Sequence, residues 1–282
     1  MEVDLHTHTR VSDGVLEPEE LVALAVEKGV RYLGITDHDA TNGLSRAMKK
    51  AQEYDSLTII PGVELSTDVP NGEVHLLGYL MDYHDPGFQR TLGQFRNARE
   101  GRGRKMVEKL CAMGLDIEWD RVLEIAGDGA IGRPHIAQAL VEKGHIASVK
   151  EAFNKYIGRQ GPAYVERSRL TPVEAVKLLA EVNGLPVLAH PGDIQNIDAL
   201  LGDMKDAGLV GMEVYYDHYP EEMVNYLAGC ARRFDLIPCG GSDYHGEGLG
   251  AQTDLGSVDV PLDSVLKLLA LDKERKGKAA RS

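Results

Sequence analysis

Short apolar runs of strand length recur along this chain, and segments of helical periodicity separate most of them. Residues 2–6, 32–36, 57–65, 74–80, 185–190, 209–216 and 236–243 each have the length and the Val, Ile, Leu and Tyr content of a buried strand. Between the first three lie EPEELVALAVEKG and LSRAMKKAQEY, with apolar residues at helical spacing; the former has Pro18 and acids in its first turn and Gly29 at its end. Strands alternating with helices predict an α/β fold with a mainly parallel sheet. The rhythm breaks after residue 80 and returns at 185. The intervening stretch reads as helical and is far longer than one crossover needs. The expected organisation is therefore a discontinuous barrel from residues 1–85 and 166–282, with a helical insertion at 86–165 lying over it. A helix closes the chain, and the basic tail KERKGKAARS is expected to be disordered.

Histidines and carboxylates cluster at these runs. His6 and His8 follow the first, Asp37 and His38 the second, and Glu64 follows Pro61-Gly62-Val63. His75 opens the fourth run, His190 ends the fifth, and Asp243 and His245 follow the last. In a parallel barrel, functional groups gather at the carboxyl ends of the strands, so scattered clusters converge in space. His6 and His8, like Asp243 and His245, are two residues apart. In extended chain such residues share a face and can reach one ion. Taken singly each motif has an ordinary reading. His-x-His is common, Asp13-Gly14 suits a turn, Asp39 or Thr41 could cap a helix, and His75 could be a core histidine. Taken together, His6, His8, Asp13, His38, Glu64, His75, His190, Asp243 and His245 supply nitrogen and oxygen donors for two or three divalent ions, with no thiolate. Glu64 would be awkward in a buried loop unless a cation accompanied it. The ions expected are manganese, iron or zinc.

These motifs resemble those of the PHP (polymerase and histidinol phosphatase) family, whose barrel is a distorted (β/α)7. The matching segments are His6-Thr7-His8, Thr36-Asp37-His38, His190-Pro191 and Ser242-Asp243-Tyr244-His245, together with Glu64 and His75. The insertion, with Gly132-Arg133-Pro134-His135, resembles a branch of metal-dependent phosphoesterases that act on nucleotides. The resemblance implies one ion held by His6, His8, Glu64 and Asp243. A second would be held by His75 and His190 and bridged by Glu64, and a third by Asp13, His38 and His245. Glu64, Asp243 and His190 are then the residues on which catalysis depends. A bound metal lowers the pKa of water from about 15.7 to about 7, so the implied reaction is attack of a metal-activated hydroxide on phosphorus.

The implied substrates are small phosphorylated nucleotides, either 3′,5′-bisphosphonucleosides or 5′-nucleotides. The alternatives are 5′-3′ trimming of short RNA and histidinol-phosphate hydrolysis. Classes further removed are a noncatalytic metal-binding module and an amidohydrolase or deacetylase. Substrate contacts are expected from the insertion: Arg133 and His135 at a helix start, which favours anions, and Arg99 and Arg102, which share a helix face. Tyr156 or Tyr164 is placed to stack a base, while His84, His145 and His218 read as surface histidines.

A net charge of −13 argues against duplex-DNA binding, which calls for a basic face. The absence of a signal-like N-terminus, of a membrane-length apolar run and of paired cysteines predicts a cytoplasmic protein that does not associate with membranes.

Overall fold

The computed structural model describes residues 1–69, 72–127, 129–166, 170–246 and 253–279. Seven strands form one sheet in chain order: β1 (Val3–Asp4), β2 (Tyr32–Ile35), β3 (Thr58–Val69), β4 (Gly72–Tyr79), β5 (Leu185–Leu188), β6 (Gly211–Tyr216) and β7 (Ile237–Gly241). The amide of Leu5 donates to Gly240 O at 3.3 Å and Thr7 bridges Tyr244, so the first and last strands meet and the barrel nearly closes. α1 (Pro18–Glu27), α2 (Leu44–Ala51), α7 (Pro172–Glu181), α8 (Ile197–Ala207) and α9 (Glu221–Arg233) flank it. Their apolar faces share one core with the strands, including Leu21, Leu33, Ile35, Leu65, Val176, Leu179 and Leu227. An inner cluster joins Leu5, Ile60, Leu77, Tyr79 and Val187 to Val265 and Leu268 of α10 (Leu262–Ala279). The Tyr79 hydroxyl donates to Leu5 O at 2.8 Å. Because β1 and β4 are not neighbours in the sheet, that bond crosses the lumen.

Two sequence expectations, a loop at Glu64 and a disordered tail, are corrected. The sheet is mainly parallel as expected, although β4 runs antiparallel to both β3 and β5. The connection from β3 to β4 is too short for a crossover, so the chain turns back. Glu64 is not in a loop, because β3 continues past the barrel rim to Val69 to pair with β4. The tail is helical as far as Ala279, since α10 runs through Lys273–Lys278 with Lys276–Asp272 and Lys278–Glu274 pairs one turn apart; residues 280–282 of that tail lie outside the described residues.

The helical stretch between β4 and β5 contains α3 (Pro86–Ala112), α4 (Trp119–Ala126), α5 (Arg133–Glu142), α6 (Val149–Ala152) and a π-helical turn at Phe153–Ile157. α3 spans two cores. Phe88 and Leu92 pack into the barrel's outer core, whereas Met106, Val107 and Leu110 join Val122, Ile136, Leu140 and Ile157 in a separate one. Among the described residues no helix is long and apolar enough to cross a membrane.

The first strands approach each other closely. A Cβ added at Gly34 would lie 2.1 Å from Leu5 O, a contact no rotamer change can relieve. Gly34→Ala is expected to destabilise the fold by roughly 1–3 kcal/mol, as overpacking does. Thermal unfolding checks this, and an unchanged melting temperature would show that β1 can shift freely.

Candidate metal centre

Parallel strands deliver His6, His8, His38, His190, Asp243 and His245 just beyond their carboxyl ends. The reversal of β4 explains why His75, near that strand's beginning, reaches the same rim. It pairs across the ladder with Ser66, two residues from Glu64. Asp37 organises the first loop: it accepts from Thr9 N, Thr9 Oγ1 and Ser12 Oγ, each at 2.7 Å. Those bonds hold the turn that carries His8 and Asp13. His190 and Asp243 both have left-handed backbone, with φ of 27° and 53°. Such conformations persist where surrounding structure imposes them, often at functional sites.

The side chains converge on three overlapping groups. His6, His8, Glu64 and Asp243 form one; His8, Asp13, His38 and His245 another; His38, Glu64 and His75 the third. In each, the candidate ligand atoms lie within 4.8 Å of one another. In the first, His8 Nε2 is 3.2 Å from Glu64 Oε2 and 3.0 Å from Asp243 Oδ1, and His6 Nε2 is 3.4 and 3.2 Å from the same two oxygens. In the second, His245 Nε2 is 3.4 Å from Asp13 Oδ1. Around Glu64 Oε1 stand His75 Nδ1 at 2.7 Å and His190 Nε2 at 3.3 Å. All nine residues expected from sequence are thus brought together. The grouping differs from the expected one. His8 joins the Asp13 group as well as the first, and His38 stands in the group of Glu64 and His75 where His190 was expected, His190 meeting Glu64 Oε1 from beside it. His38 faces Glu64 Oε2 through Nδ1 at 3.1 Å and Asp13 Oδ2 through Nε2 at 3.8 Å, so it adjoins both carboxylates, whereas the resemblance placed it only with Asp13 and His245.

The residues fit a cation. Buried and without a hydrogen-bond partner are His6 Nε2, His8 Nε2, Asp13 Oδ1, His38 Nδ1, Glu64 Oε2 and Asp243 Oδ1. Orphaned buried polar atoms are rare; five of these face one another, and Asp13 Oδ1 faces His245 Nε2. Burial raises the Glu64, Asp13 and Asp243 carboxyls, but the surrounding imidazoles outweigh it and hold all three well below their ordinary range. Burial lowers His6, yet Glu213, Asp243 and Glu64 together raise it well above its usual value; His8, similarly placed, is raised to about 10. The centre therefore demands positive charge. Protonated histidines supply it at some expense in desolvation, while divalent ions supply it and leave the rings neutral as ligands.

A cavity of about 210 Å³ adjoins the centre, lined by His38, His75, Asp13 and His245 on one side and by Arg99, Arg102, Arg133 and Phe153 on the other. All three arginines are engaged. Arg99 donates to Asp39 Oδ2 at 2.5 Å and Ser66 Oγ at 2.7 Å. Arg102 donates to Val165 O at 2.7 Å. Arg133 pairs with Glu73, which Arg102 also approaches. Asp39 is thus an arginine partner rather than a helix cap, and Thr41 Oγ1 accepts from Gln89 Nε2. His135 does not line this cavity. Its Nδ1 accepts from Gly132 N at 3.0 Å, capping α5, and its ring borders a separate cleft with Arg10 and Arg121. Tyr156 and Tyr164 pack beside the helical core, and Arg102 lies over the Tyr164 ring. The aromatic at the cavity is Phe153, beneath Arg133 at 5.3 Å. His84, His145 and His218 lie away from it.

Four contributors escaped the sequence reading: Glu73, Phe153, Tyr216, whose hydroxyl donates to Asp243 Oδ2 at 2.8 Å, and Glu213. Glu213 carried a signal, a lone charge within the apolar run LVGMEVYY, since such residues are seldom fully buried unless paired. Phe153 carried none.

Comparison with known proteins gives concordant results. The PHP domain profile matches residues 4–163. A 5′-3′ exoribonuclease Rnm of Salmonella typhimurium is 36% identical over 247 residues, covering 86% of this chain and 84% of the relative. A 3′,5′-nucleoside bisphosphate phosphatase of Chromobacterium violaceum is 31% identical, covering 92% of each. A solved structure from Bifidobacterium adolescentis, described as a metal-dependent phosphoesterase, superimposes with a TM-score of 0.87 at 32% identity over 95% of both chains.

Proposed function

The chain belongs to the PHP domain family and is a metal-dependent phosphoesterase, and from that premise we propose that it removes phosphate from small nucleotides, foremost those bearing both a 3′ and a 5′ phosphate. The observation that carries this reading is the cavity shared by the metal-site histidines and three arginines. Its volume, about 210 Å³, is below the roughly 300 Å³ at which small-molecule sites begin. It suits the phosphorylated end of a small molecule. The Chromobacterium relative, similar over nearly its whole length, acts on such a nucleotide by name.

We assign His6, His8, Glu64 and Asp243 to one ion, Asp13, His245 and His38 to another, and His75 and His190 with Glu64 to a third position. Bound divalent ions supply the positive charge that acidifies a water and offsets charge on the phosphoryl oxygens. The chain's own residues do the rest. Arg99, Arg102 and Arg133 lie within reach of a phosphate in the cavity, and a guanidinium can grip it with two hydrogen bonds. Glu73 and Asp39 keep those forks oriented until the anion arrives. The 86–165 segment serves as a cap: it delivers the arginines and Phe153 and limits water access from above. His135 has no part in phosphate contact in this assignment.

A second reading, removal of nucleotides from the 5′ end of short RNA, is favoured by the Rnm relative. A phosphate-release and product-length assay with Mn²⁺ separates the two, comparing adenosine 3′,5′-bisphosphate, AMP, 5′-phosphorylated short RNA and histidinol phosphate. The bisphosphate is expected to turn over at least tenfold more efficiently than the others. Preference for the RNA would replace the proposal with the second reading, and inactivity on all four would sink both.

A further inference from the structure

Glu213 lies on β6, fully buried, where a register shift against β7 falls between Glu213 and Tyr215. Such bulges re-aim side chains. Both of its carboxylate oxygens are engaged, and neither joins the converging ligand groups. Oε1 is 3.0 Å from His6 Nδ1. Oε2 accepts the backbone amide of His190 at 2.7 Å, the residue held at φ 27°. One carboxylate therefore touches two histidines of the metal centre, one through its ring and the other through its backbone.

We propose that Glu213 is a positioning residue for the metal centre, setting the hydrogen of His6 on Nδ1 and locking the turn that presents His190. The reasoning is one of donors and acceptors. A carboxylate accepts, so His6 bonds to it through Nδ1–H, which in the neutral ring that binds a metal leaves Nε2 with a bare lone pair. That Nε2 is the atom directed at Glu64 Oε2 and Asp243 Oδ1, at 3.4 and 3.2 Å, and it has no hydrogen-bond partner. His190 Nε2 likewise reaches Glu64 Oε1. Partners of this type orient metal-binding histidines, and losing one typically weakens metal binding about 10–100-fold.

Glu213→Gln makes the sharp test. Both demands on residue 213 are for an acceptor, and an amide has one acceptor and one donor. The variant must either abandon the His190 amide or drive the His6 hydrogen onto Nε2, where it blocks the ligand lone pair. Mn²⁺ is titrated calorimetrically into chelator-treated full-length protein, with circular dichroism reporting the fold. E213Q is expected to bind about 10–100-fold more weakly than the natural protein. A folded E213Q with unchanged Mn²⁺ affinity overturns the inference. A second measurement needs no variant: in the natural protein loaded with Zn²⁺, ¹⁵N resonances should show hydrogen on Nδ1 of His6 and none on Nε2. The reverse pattern overturns the inference even if E213Q does not fold. The inference rests on the metal-centre assignment. A natural protein that binds neither ion overturns both, whereas normal binding with an indifferent E213Q removes the role of Glu213 alone.

Discussion

Asp243→Asn is expected to lower phosphoester hydrolysis by roughly 10³-fold or more while leaving the protein folded. Asp243 Oδ1 sits 3.2 Å from His6 Nε2 and 3.0 Å from His8 Nε2, and its other oxygen accepts from Tyr216. The amide keeps the shape and removes one of the negative charges that draw a cation into this group. A bound metal contributes several kcal/mol of transition-state stabilisation, and each 1.36 kcal/mol is tenfold in rate, which gives about 10³. The measurement is kcat/KM on the best substrate with Mn²⁺ in excess, alongside circular dichroism. A folded variant that keeps turnover within a few-fold would exclude Asp243 from the reacting centre.

Chelation is expected to lower the melting temperature by roughly 8–16 °C, with recovery on adding Mn²⁺. An ion present at 1,000 times its dissociation constant stabilises the folded state by about 4 kcal/mol. For a chain of this size each kcal/mol corresponds to about 2–4 °C. The effect is large because Glu64 and Asp13 are buried, Asp243 is half-buried, and all three are held ionised, so removing the cation leaves their charge to protonated imidazoles at close range. Differential scanning calorimetry with and without EDTA decides the matter. Coincident transitions would mean that the folded protein holds no ion of consequence.

The candidate ligand positions were legible in sequence because the barrel makes them so. Each of them but Asp13, which sits in the loop after the first run, lies at or beside an apolar run, and a barrel of mostly parallel strands turns that one-dimensional recurrence into a ring at one rim. His75 was found for an incomplete reason. It opens its run rather than ending it, and only the reversal of β4 puts it with the others. Glu64 shows the opposite gap: its identity was clear, but the extension of β3 to Val69 was not, because pairing with β4 is a tertiary gain that local pattern does not contain.

The substrate side was harder to read. Arg99, Arg102 and Arg133 were expected as phosphate contacts, and they do line one cavity. Their present partners are Asp39, Ser66, Val165 and Glu73, which no spacing rule connects to them. His135 illustrates the limit of a helix-start argument. It lies two residues from Arg133, yet a helix turns through about 100° per residue, so its ring points into a different cleft.

By itself the sequence determined the alternation of strands and helices, a count of about seven strands and the candidate donor set, because periodicity and donor type are properties of the chain read locally; the class of chemistry came through the resemblance of its motifs to the PHP family. Only the tertiary structure decided how His38 divides itself between Glu64 and Asp13, that Glu213 stands behind His6 and His190, and which side chains wall the cavity. Those are distances between residues remote in the chain, and they exist only once the strands have closed and α3 has packed across the rim.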